Sequence, residues 1–211
     1  MRALIVLGGD APTPALLSRC MREAELVIAA DSGLSAFDRA GLEPDWLVGD
    51  MDSVPPQVLA RFEGRLPERR LHCIKDDTDG VDALDMAIER GATEITLLGA
   101  LGGRLDHALA NVMLRVRAQR RGVRAQILDE SVRIARVDGR ETLLGARGDT
   151  VSLLPLGTAQ GVTLRGFFYP LQDHTLTSDY PLGVSNVVTQ DEATVEVASG
   201  DLILFHYRAP Q

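Results

Sequence analysis

Six short apolar segments rich in β-forming residues alternate with longer amphipathic stretches over the first 128 residues of this 211-residue chain. That alternation is typical of repeated β–α–β units, in which helices connect the parallel strands of one sheet. It predicts an α/β domain with strands at residues 3–7, 26–30, 46–48, 70–74, 94–98 and 125–128. Polar residues that follow these strands are expected to lie at one edge of the sheet.

Two of the intervening stretches have spacing clear enough to predict which face of a helix is buried. Residues 81–90 place Val81, Leu84 and Ile88 on one side, and Gly91 stands where a helix commonly ends. Residues 105–121 predict a second helix, with a buried stripe formed by Leu105, Leu109, Val112 and Val116. The arginines on and just after this helix are expected to form a solvated face: Arg115, Arg117, Arg120, Arg121 and Arg124.

After residue 130 the pattern changes to short β-branched or alternating segments separated by Gly, Asp and Pro. None has convincing helical spacing, so a small antiparallel β domain is expected. Its strands are predicted at residues 132–137, 150–154, 161–164, 193–198 and 202–207. We therefore place the domains at residues 1–129 and 130–211.

Composition argues against several classes of protein. A formal charge of −8 does not suit duplex nucleic-acid binding, which depends on clustered Lys and Arg. Cys20 and Cys73 are too few for a disulfide framework, and we expect both in the core of a protein from a reducing compartment. No run approaches the roughly 20 apolar residues of a membrane-spanning helix. A cytoplasmic protein without a membrane or nucleic-acid partner is expected.

Aspartates follow most of the predicted strands of the first domain: Asp31, Asp50, Asp52, Asp76, Asp79 and Asp106. Mg²⁺ prefers oxygen ligands and is usually held by one or two carboxylates together with substrate phosphates and water. Two carboxylates as close as Asp50 and Asp52 repel each other unless a cation lies between them. These acids therefore predict a site for a divalent cation and a polyphosphate.

Structural alternatives exist for each of these residues. Asp50 and Asp52 are also suited to a turn in which their side chains bond nearby backbone. Asp79, just ahead of a predicted helix, is suited to capping it. Several similar acids at other strand ends favour the metal-site interpretation.

A glycine-rich turn precedes the second predicted helix, at Gly99, Gly102 and Gly103. Such turns expose backbone N–H groups and the positive end of the helix dipole to a phosphate. Arg104 follows the glycines and is suited to a forked contact with phosphate oxygens, whereas Lys75 supplies a point charge. The alternative for a single arginine is a surface cation. For His107 we favour a hydrogen bond near a nucleotide or a satisfied interior position.

Five segments occur in the order and spacing of one enzyme family's motifs: LVIAADSGL (26–34), PDWLVGDMDSV (44–54), IKDDTDGVDAL (74–84), LGALGGRLDHALANVML (98–114) and YPLGVSN (180–186). Together they resemble the motifs of the thiamine pyrophosphokinases. The resemblance implies an α/β nucleotide-binding domain followed by a β-sandwich, working as a homodimer whose active site is shared across the interface. It implies Mg²⁺-dependent transfer of the pyrophosphoryl group of ATP to the hydroxyl of thiamine, giving thiamine diphosphate and AMP.

The resemblance also implies roles for individual residues. The metal-binding acids would be Asp50, Asp52, Asp79 and Asp31, and the catalytic residues Asp79, Arg104 and Lys75. ATP would be bound by Asp31, Ser32, Gly33, Asp50, Asp76, Thr78, Gly102, Gly103, Arg104, Asp106, His107 and Asn111. Thiamine would be bound by Asp79, Leu182, Ser185 and Asn186. Phe167, Phe168, Tyr169 or Tyr180 could serve as a stacking surface, and the alternative for such residues is packing within the β domain. A transferase for another primary alcohol and a non-catalytic thiamine or nucleotide sensor are the alternative functions.

Overall fold

The structure is a computed structural model that describes residues 1–70 and 78–209. The chain divides into two compact units, Met1–Glu130 and Ser131–Gln211. Lys75, Asp76, Cys73 and most of the predicted strand at 70–74 lie outside the described residues. In that part of the chain which is described, no helix is long and apolar enough to cross a membrane.

In the residues that the structure describes, the first unit contains six parallel strands, as predicted. The strands are β1 (Arg2–Val6), β2 (Leu26–Ala30), β3 (Trp46–Gly49), β4 (Glu68–Arg70), β5 (Glu94–Leu98) and β6 (Arg124–Leu128). Their spatial order is β4-β3-β2-β1-β5-β6, and each neighbouring pair is parallel. All five residues of β2 are buried, as expected for a strand covered on both faces.

Among the described residues, five α-helices connect these strands: α1 (Pro14–Glu23), α2 (Leu34–Ala40), α3 (Pro56–Phe62), α4 (Asp79–Glu89) and α5 (Leu105–Arg120). Thr13 caps α1 by accepting the Leu16 N–H, and Pro14 suits its first turn. α4 ends as predicted, at a Gly91 with a left-handed backbone whose N–H donates to the Ile88 carbonyl. Gly80 lies close to Leu114 and Asn111 of α5, so a side chain there would crowd the packing of the two helices.

The predicted buried stripe of α5 is wrong in its first half. Leu105 is 83% exposed and Leu109 57% exposed, because the helix buries a different face. That face contains Val112, Arg115 and Ala118, which are spaced three residues apart.

Arg115 also contradicts the predicted solvated face, because it is only 4% exposed. Its Nε donates to the Val112 carbonyl, and burial lowers its pKa to about 10. Arg117 and Arg121 behave as predicted: both are exposed and pair with Asp85 of α4. Arg117 is the main reason that the pKa of Asp85 lies below its ordinary value.

The second unit is all β, as predicted, with no helix in residues 131–209. Its strands are β7 (Val132–Arg136), β8 (Arg140–Leu144), β9 (Thr150–Arg165), β10 (Leu171–Thr177), β11 (Asn186–Val187), β12 (Glu192–Glu196) and β13 (Ser199–Tyr207). β9 pairs with β13 and β11 along its first half, and with β10 and β12 along its second. One long strand thus joins the two sheets of a sandwich, whose core includes Val151, Leu164 and Leu204.

The two strands predicted at 150–154 and 161–164 are one strand. Gly157 and Gly161 signal turns in the sequence, and both do have left-handed backbones. The chain nevertheless continues in the same direction through irregular pairing with β13. Glycine in a strand interior often marks such an irregularity rather than a turn.

The last strand of the second unit is fastened by Asp149. One carboxylate oxygen lies 2.6 Å from the His206 Nε2, and the other accepts the Ala209 N–H at 2.8 Å. Both side chains are only 14% exposed. Removal of the carboxylate leaves partly buried groups without their partner, so Asp149→Ala is expected to lower the free energy of unfolding by about 1–3 kcal/mol.

Urea denaturation measures this loss. The control is Asp138→Ala, which removes an exposed acid paired with Arg136 and is expected to change stability little. Equal effects of the two variants would contradict the assigned role of Asp149.

Candidate metal and nucleotide site

Three predicted metal-binding acids come together at the carboxyl edge of the first sheet. Asp31 follows β2 directly, in a 3₁₀ turn formed by Asp31–Gly33, while Asp50 and Asp52 follow the adjacent β3. One carboxylate oxygen from each of the three lies within 4.8 Å of the others. Parallel pairing of β2 with β3 is what places their ends side by side.

Two unusual backbone conformations shape this cluster. Asp31 has φ 48° and Met51 has φ 67°, a left-handed region that residues other than glycine rarely adopt. The Met51 side chain is buried in the core of the first unit, while the next residue, Asp52, is exposed. Each such conformation costs about 1–3 kcal/mol, and such residues cluster at functional sites.

Hydrogen bonds fix two of the carboxylates. Ser53 Oγ donates to Asp31 Oδ2, and the Asp52 N–H donates to Asp50 Oδ1 at 3.1 Å. The second bond is the turn contact considered as an alternative for this motif, and it coexists with convergence on Asp31. The turn therefore helps to hold Asp50 next to its neighbours.

The charges of the cluster oppose one another. Burial is the main cause that raises the pKa of Asp31, and the neighbouring Asp79 and Asp50 raise it further. The pKa of Asp52 is raised chiefly by repulsion from Asp50. Asp31 Oδ1 is buried and has no hydrogen-bond partner among the described residues. A buried acceptor beside two further carboxylates matches the oxygen ligands that a hard divalent cation requires.

Asp79 lies close enough to raise the pKa of both Asp31 and Asp52, but it is outside the group of three. It is the first residue of α4, and the N-cap is Thr78, whose side chain accepts the Val81 N–H. The capping alternative considered for Asp79 therefore belongs to Thr78. Asp79 is a half-buried carboxylate in the first turn of α4, near the acidic cluster.

The predicted phosphate loop joins β5 to α5. Gly99, Gly102 and Gly103 all have left-handed backbones, which glycine adopts without strain. Arg104 is the N-cap of α5 and its side chain does not cap the helix, whereas the Asp106 carboxylate accepts the backbone N–H of His107 in the first turn. Asn111 Nδ2 donates to the Ala100 carbonyl at 2.9 Å, which makes Asn111 a support for the loop.

Arg104 and Asp106 form a forked ion pair at the start of α5. Arg104 Nε lies 3.1 Å from one Asp106 oxygen, and its Nη2 lies 2.6 Å from the other. The pair raises the pKa of Arg104 and lowers that of Asp106, and both side chains are largely exposed. His107 is also exposed, so an interior position for it is wrong.

A loop that sequence reasoning missed borders this site. After β1, the Gly9 N–H donates to the Gly99 carbonyl at 2.8 Å and the Asp10 N–H to the Leu101 carbonyl at 2.6 Å. A side chain at Gly102 would collide with the Asp10 carboxylate. β1 lies between β2 and β5, where the strand order reverses, and ligands of open α/β sheets bind at such points. The sequence signal for this loop was the pair Gly8-Gly9, separated from the end of β1 by a single residue.

Gly33 is needed where the 3₁₀ turn meets β1. Its backbone is ordinary, but an added Cβ would overlap the Val6 carbonyl oxygen. Gly33→Ala must push backbone apart, so the free energy of unfolding is expected to fall by about 1–3 kcal/mol.

The control for Gly33 is Gly41→Ala, where no atom lies within 4 Å but the backbone is left-handed. It measures the cost of a left-handed backbone alone, which is about 1–2 kcal/mol. Chemical denaturation of both variants makes the comparison, and a Gly33→Ala protein as stable as the wild type would refute the collision.

The residues predicted to bind thiamine differ in exposure. Leu182 is 44% exposed and Ser185 is exposed with φ 59°, whereas Asn186 is only 6% exposed. Of the four candidate stacking aromatics, Phe167 is buried and thereby excluded, while Phe168, Tyr169 and Tyr180 are each about two-thirds exposed.

Comparison with known proteins covers both units. Residues 17–127 match the family model described as the thiamin pyrophosphokinase catalytic domain, and residues 136–202 match that of its vitamin B1 binding domain. A thiamine pyrophosphokinase of Bacillus subtilis (strain 168) is 30% identical over 204 residues, which is 95% of each chain.

Solved structures agree with this result. The crystal structure of thiamine pyrophosphokinase from Bacillus subtilis superposes with a TM-score of 0.86 at 26% identity, covering 100% of both chains. That of thiamin pyrophosphokinase from Geobacillus thermodenitrificans gives 0.83 at 30% identity, covering 100% of this chain and 99% of the other. The family models, the curated relative and the solved structures agree: the chain belongs to the thiamin pyrophosphokinase family, as its sequence predicted.

Proposed function

We propose that this chain transfers the pyrophosphoryl group of ATP to the hydroxyl of thiamine. The hydroxyl oxygen attacks the β-phosphorus, the bond from that phosphorus to the α,β-bridging oxygen breaks, and AMP leaves. The hydroxyl proton passes to a base, for which Asp79 is our candidate because it lies at the start of α4, close enough for its charge to act on Asp31 and Asp52. The products are thiamine diphosphate and AMP.

The observation that carries this proposal is the convergence of Asp31, Asp50 and Asp52 within 4.8 Å, with Asp31 Oδ1 lacking a partner among described residues. These carboxylates would hold Mg²⁺, which supplies neutralisation of phosphate charge when bound. The turn at Asp50 and the 3₁₀ turn at Asp31 would hold these carboxylates in position to bind the cation.

On the nucleotide side, Arg104 would bind the transferred phosphates. Its fork already matches two carboxylate oxygens of Asp106 and is equally suited to two phosphate oxygens. The left-handed glycines and the first turn of α5 would add backbone N–H donors. We assign Ser32, Gly33, Thr78 and His107 to the same ATP site, together with Lys75 and Asp76.

On the thiamine side, the second unit offers exposed aromatic rings. Phe168 and Tyr169 form an edge-to-face pair with centroids 4.8 Å apart. Thiamine carries a cationic thiazolium ring, which aromatic faces attract. Leu182 and Ser185 would line the same surface. We propose a homodimer in which this surface of one copy serves the metal site of the other.

Incubation of the purified chain with ATP, Mg²⁺ and thiamine tests the function. Thiamine diphosphate and AMP in equal amounts are the expected products, and both should disappear when EDTA is added. Release of ADP instead of AMP would contradict pyrophosphoryl transfer. Faster turnover of another primary alcohol would identify a different acceptor, and thiamine binding without turnover would identify a sensor.

A further inference from the structure

The side chain of Asn186 is occupied by backbone rather than left available for a ligand. Its Oδ1 accepts the Tyr169 N–H and the Val187 N–H, each at 3.0 Å. Its Nδ2 donates to the Tyr169 carbonyl at 2.7 Å. With 6% exposure, the amide is buried and pairs with both polar backbone groups of Tyr169. Among side chains, only an amide offers an acceptor and a donor in this arrangement.

These bonds hold a short exposed segment against β11. The Phe168 N–H donates to the Val187 carbonyl at 2.9 Å, and Phe167 pairs with Val188 while its ring lies in the core. The next two rings, Phe168 and Tyr169, are 64% and 65% exposed. Large exposed aromatic rings on a fastened backbone are typical of a binding surface.

We propose that Asn186 is a positioning residue for thiamine; this inference rests on the proposed function. It acts through Tyr169, whose ring it presents to the substrate, and does not itself contact thiamine. Both acceptor positions of Asn186 Oδ1 are taken by backbone N–H groups, so binding thiamine through this oxygen would break a hydrogen bond inside a buried site, which is unfavourable. If the Tyr169 backbone is already fixed before thiamine binds, binding does not have to pay the entropy cost of ordering this segment.

A double-mutant cycle distinguishes positioning from direct contact. Tyr169→Ala is expected to raise the KM for thiamine about tenfold, by loss of the aromatic face. Asn186→Ala should raise it by a similar factor and leave the KM for ATP unchanged. If Asn186 acts only through Tyr169, adding Asn186→Ala to Tyr169→Ala should change the thiamine KM by less than about twofold.

Two further variants separate this role from general loosening. Asn186→Asp retains an acceptor for the Tyr169 and Val187 N–H groups, so it is expected to fold. Its carboxylate cannot donate to the Tyr169 carbonyl, so this variant should still raise the KM for thiamine. Thr189→Val is the matched control, because the Thr189 hydroxyl donates to Gly166 at the start of the same segment. It should leave the KM for thiamine unchanged.

The outcomes are distinct. Independent, multiplying effects of Asn186→Ala and Tyr169→Ala would show direct contact and overturn the positioning role, as would an unchanged thiamine KM in Asn186→Asp. Equal effects of Thr189→Val and Asn186→Asp would reduce the role to loop stability and also overturn it. A wild-type chain that forms no thiamine diphosphate would instead overturn the proposed function, and the role of Asn186 with it.

Discussion

Asp52→Asn is expected to lower the rate of thiamine diphosphate formation by about a hundredfold or more, because the cation that neutralises phosphate charge loses a ligand. The fold should remain intact, since Asp52 is exposed and its carboxylate is repelled by Asp50. Asparagine keeps the size of the side chain and removes its charge. Initial rates at saturating ATP and thiamine, over a range of Mg²⁺ concentrations, measure the effect.

The control for Asp52 is Glu63→Gln, which removes one exposed negative charge from the same unit at the end of α3. It should retain wild-type activity and wild-type dependence on Mg²⁺. An Asp52→Asn protein with full activity at low Mg²⁺ would remove Asp52 from the metal site.

Arg104→Ala should reduce kcat by about a hundredfold, because charge that develops on the transferred phosphates loses its forked partner. Arg104→Lys is expected to recover little of this loss, since an ammonium group acts as a point charge. The measurement is the steady-state rate of AMP release. Asp106→Asn should have a smaller effect, because it frees the guanidinium for phosphate while loosening its orientation.

A closely matched control exists for Arg104. Arg61 is 64% exposed and lies 2.6 Å from Asp38, while Arg104 is 73% exposed and lies 2.6 Å from Asp106. Exposed pairs of this kind contribute little to stability, so both alanine variants should fold normally. Only the Arg104 variant should lose activity; equal losses in the two proteins would contradict a role in phosphate binding.

The α/β part of the fold was predictable because burial on both faces of a parallel sheet leaves continuous apolar strands, as in β2. The exposed first half of α5 was not, since the spacing of Leu105 and Leu109 is the same whether or not a partner surface covers them. The burial of Arg115 was missed for a related reason. Its charge predicted an exposed side chain, and no local sequence pattern indicates that an arginine is buried.

For the acidic cluster, the sequence indicated which residues come together better than it indicated their geometry. Parallel topology brings the residues after β2 and β3 together, which is why Asp31, Asp50 and Asp52 converge. Their orientation depends on left-handed backbones at Asp31 and Met51, which these residue types do not predict. Likewise, the family motif predicted a thiamine-site role for Asn186, but only the structure shows that its amide bonds to the Tyr169 backbone.

Anomalous diffraction from crystals soaked with Mn²⁺ and a non-hydrolysable ATP analogue tests the central claim most directly. We predict a peak coordinated at about 2.1 Å by oxygens of Asp31, Asp50 and Asp52 and by phosphate oxygens of the nucleotide. Nucleotide bound with its Mn²⁺ away from these three carboxylates would contradict the account.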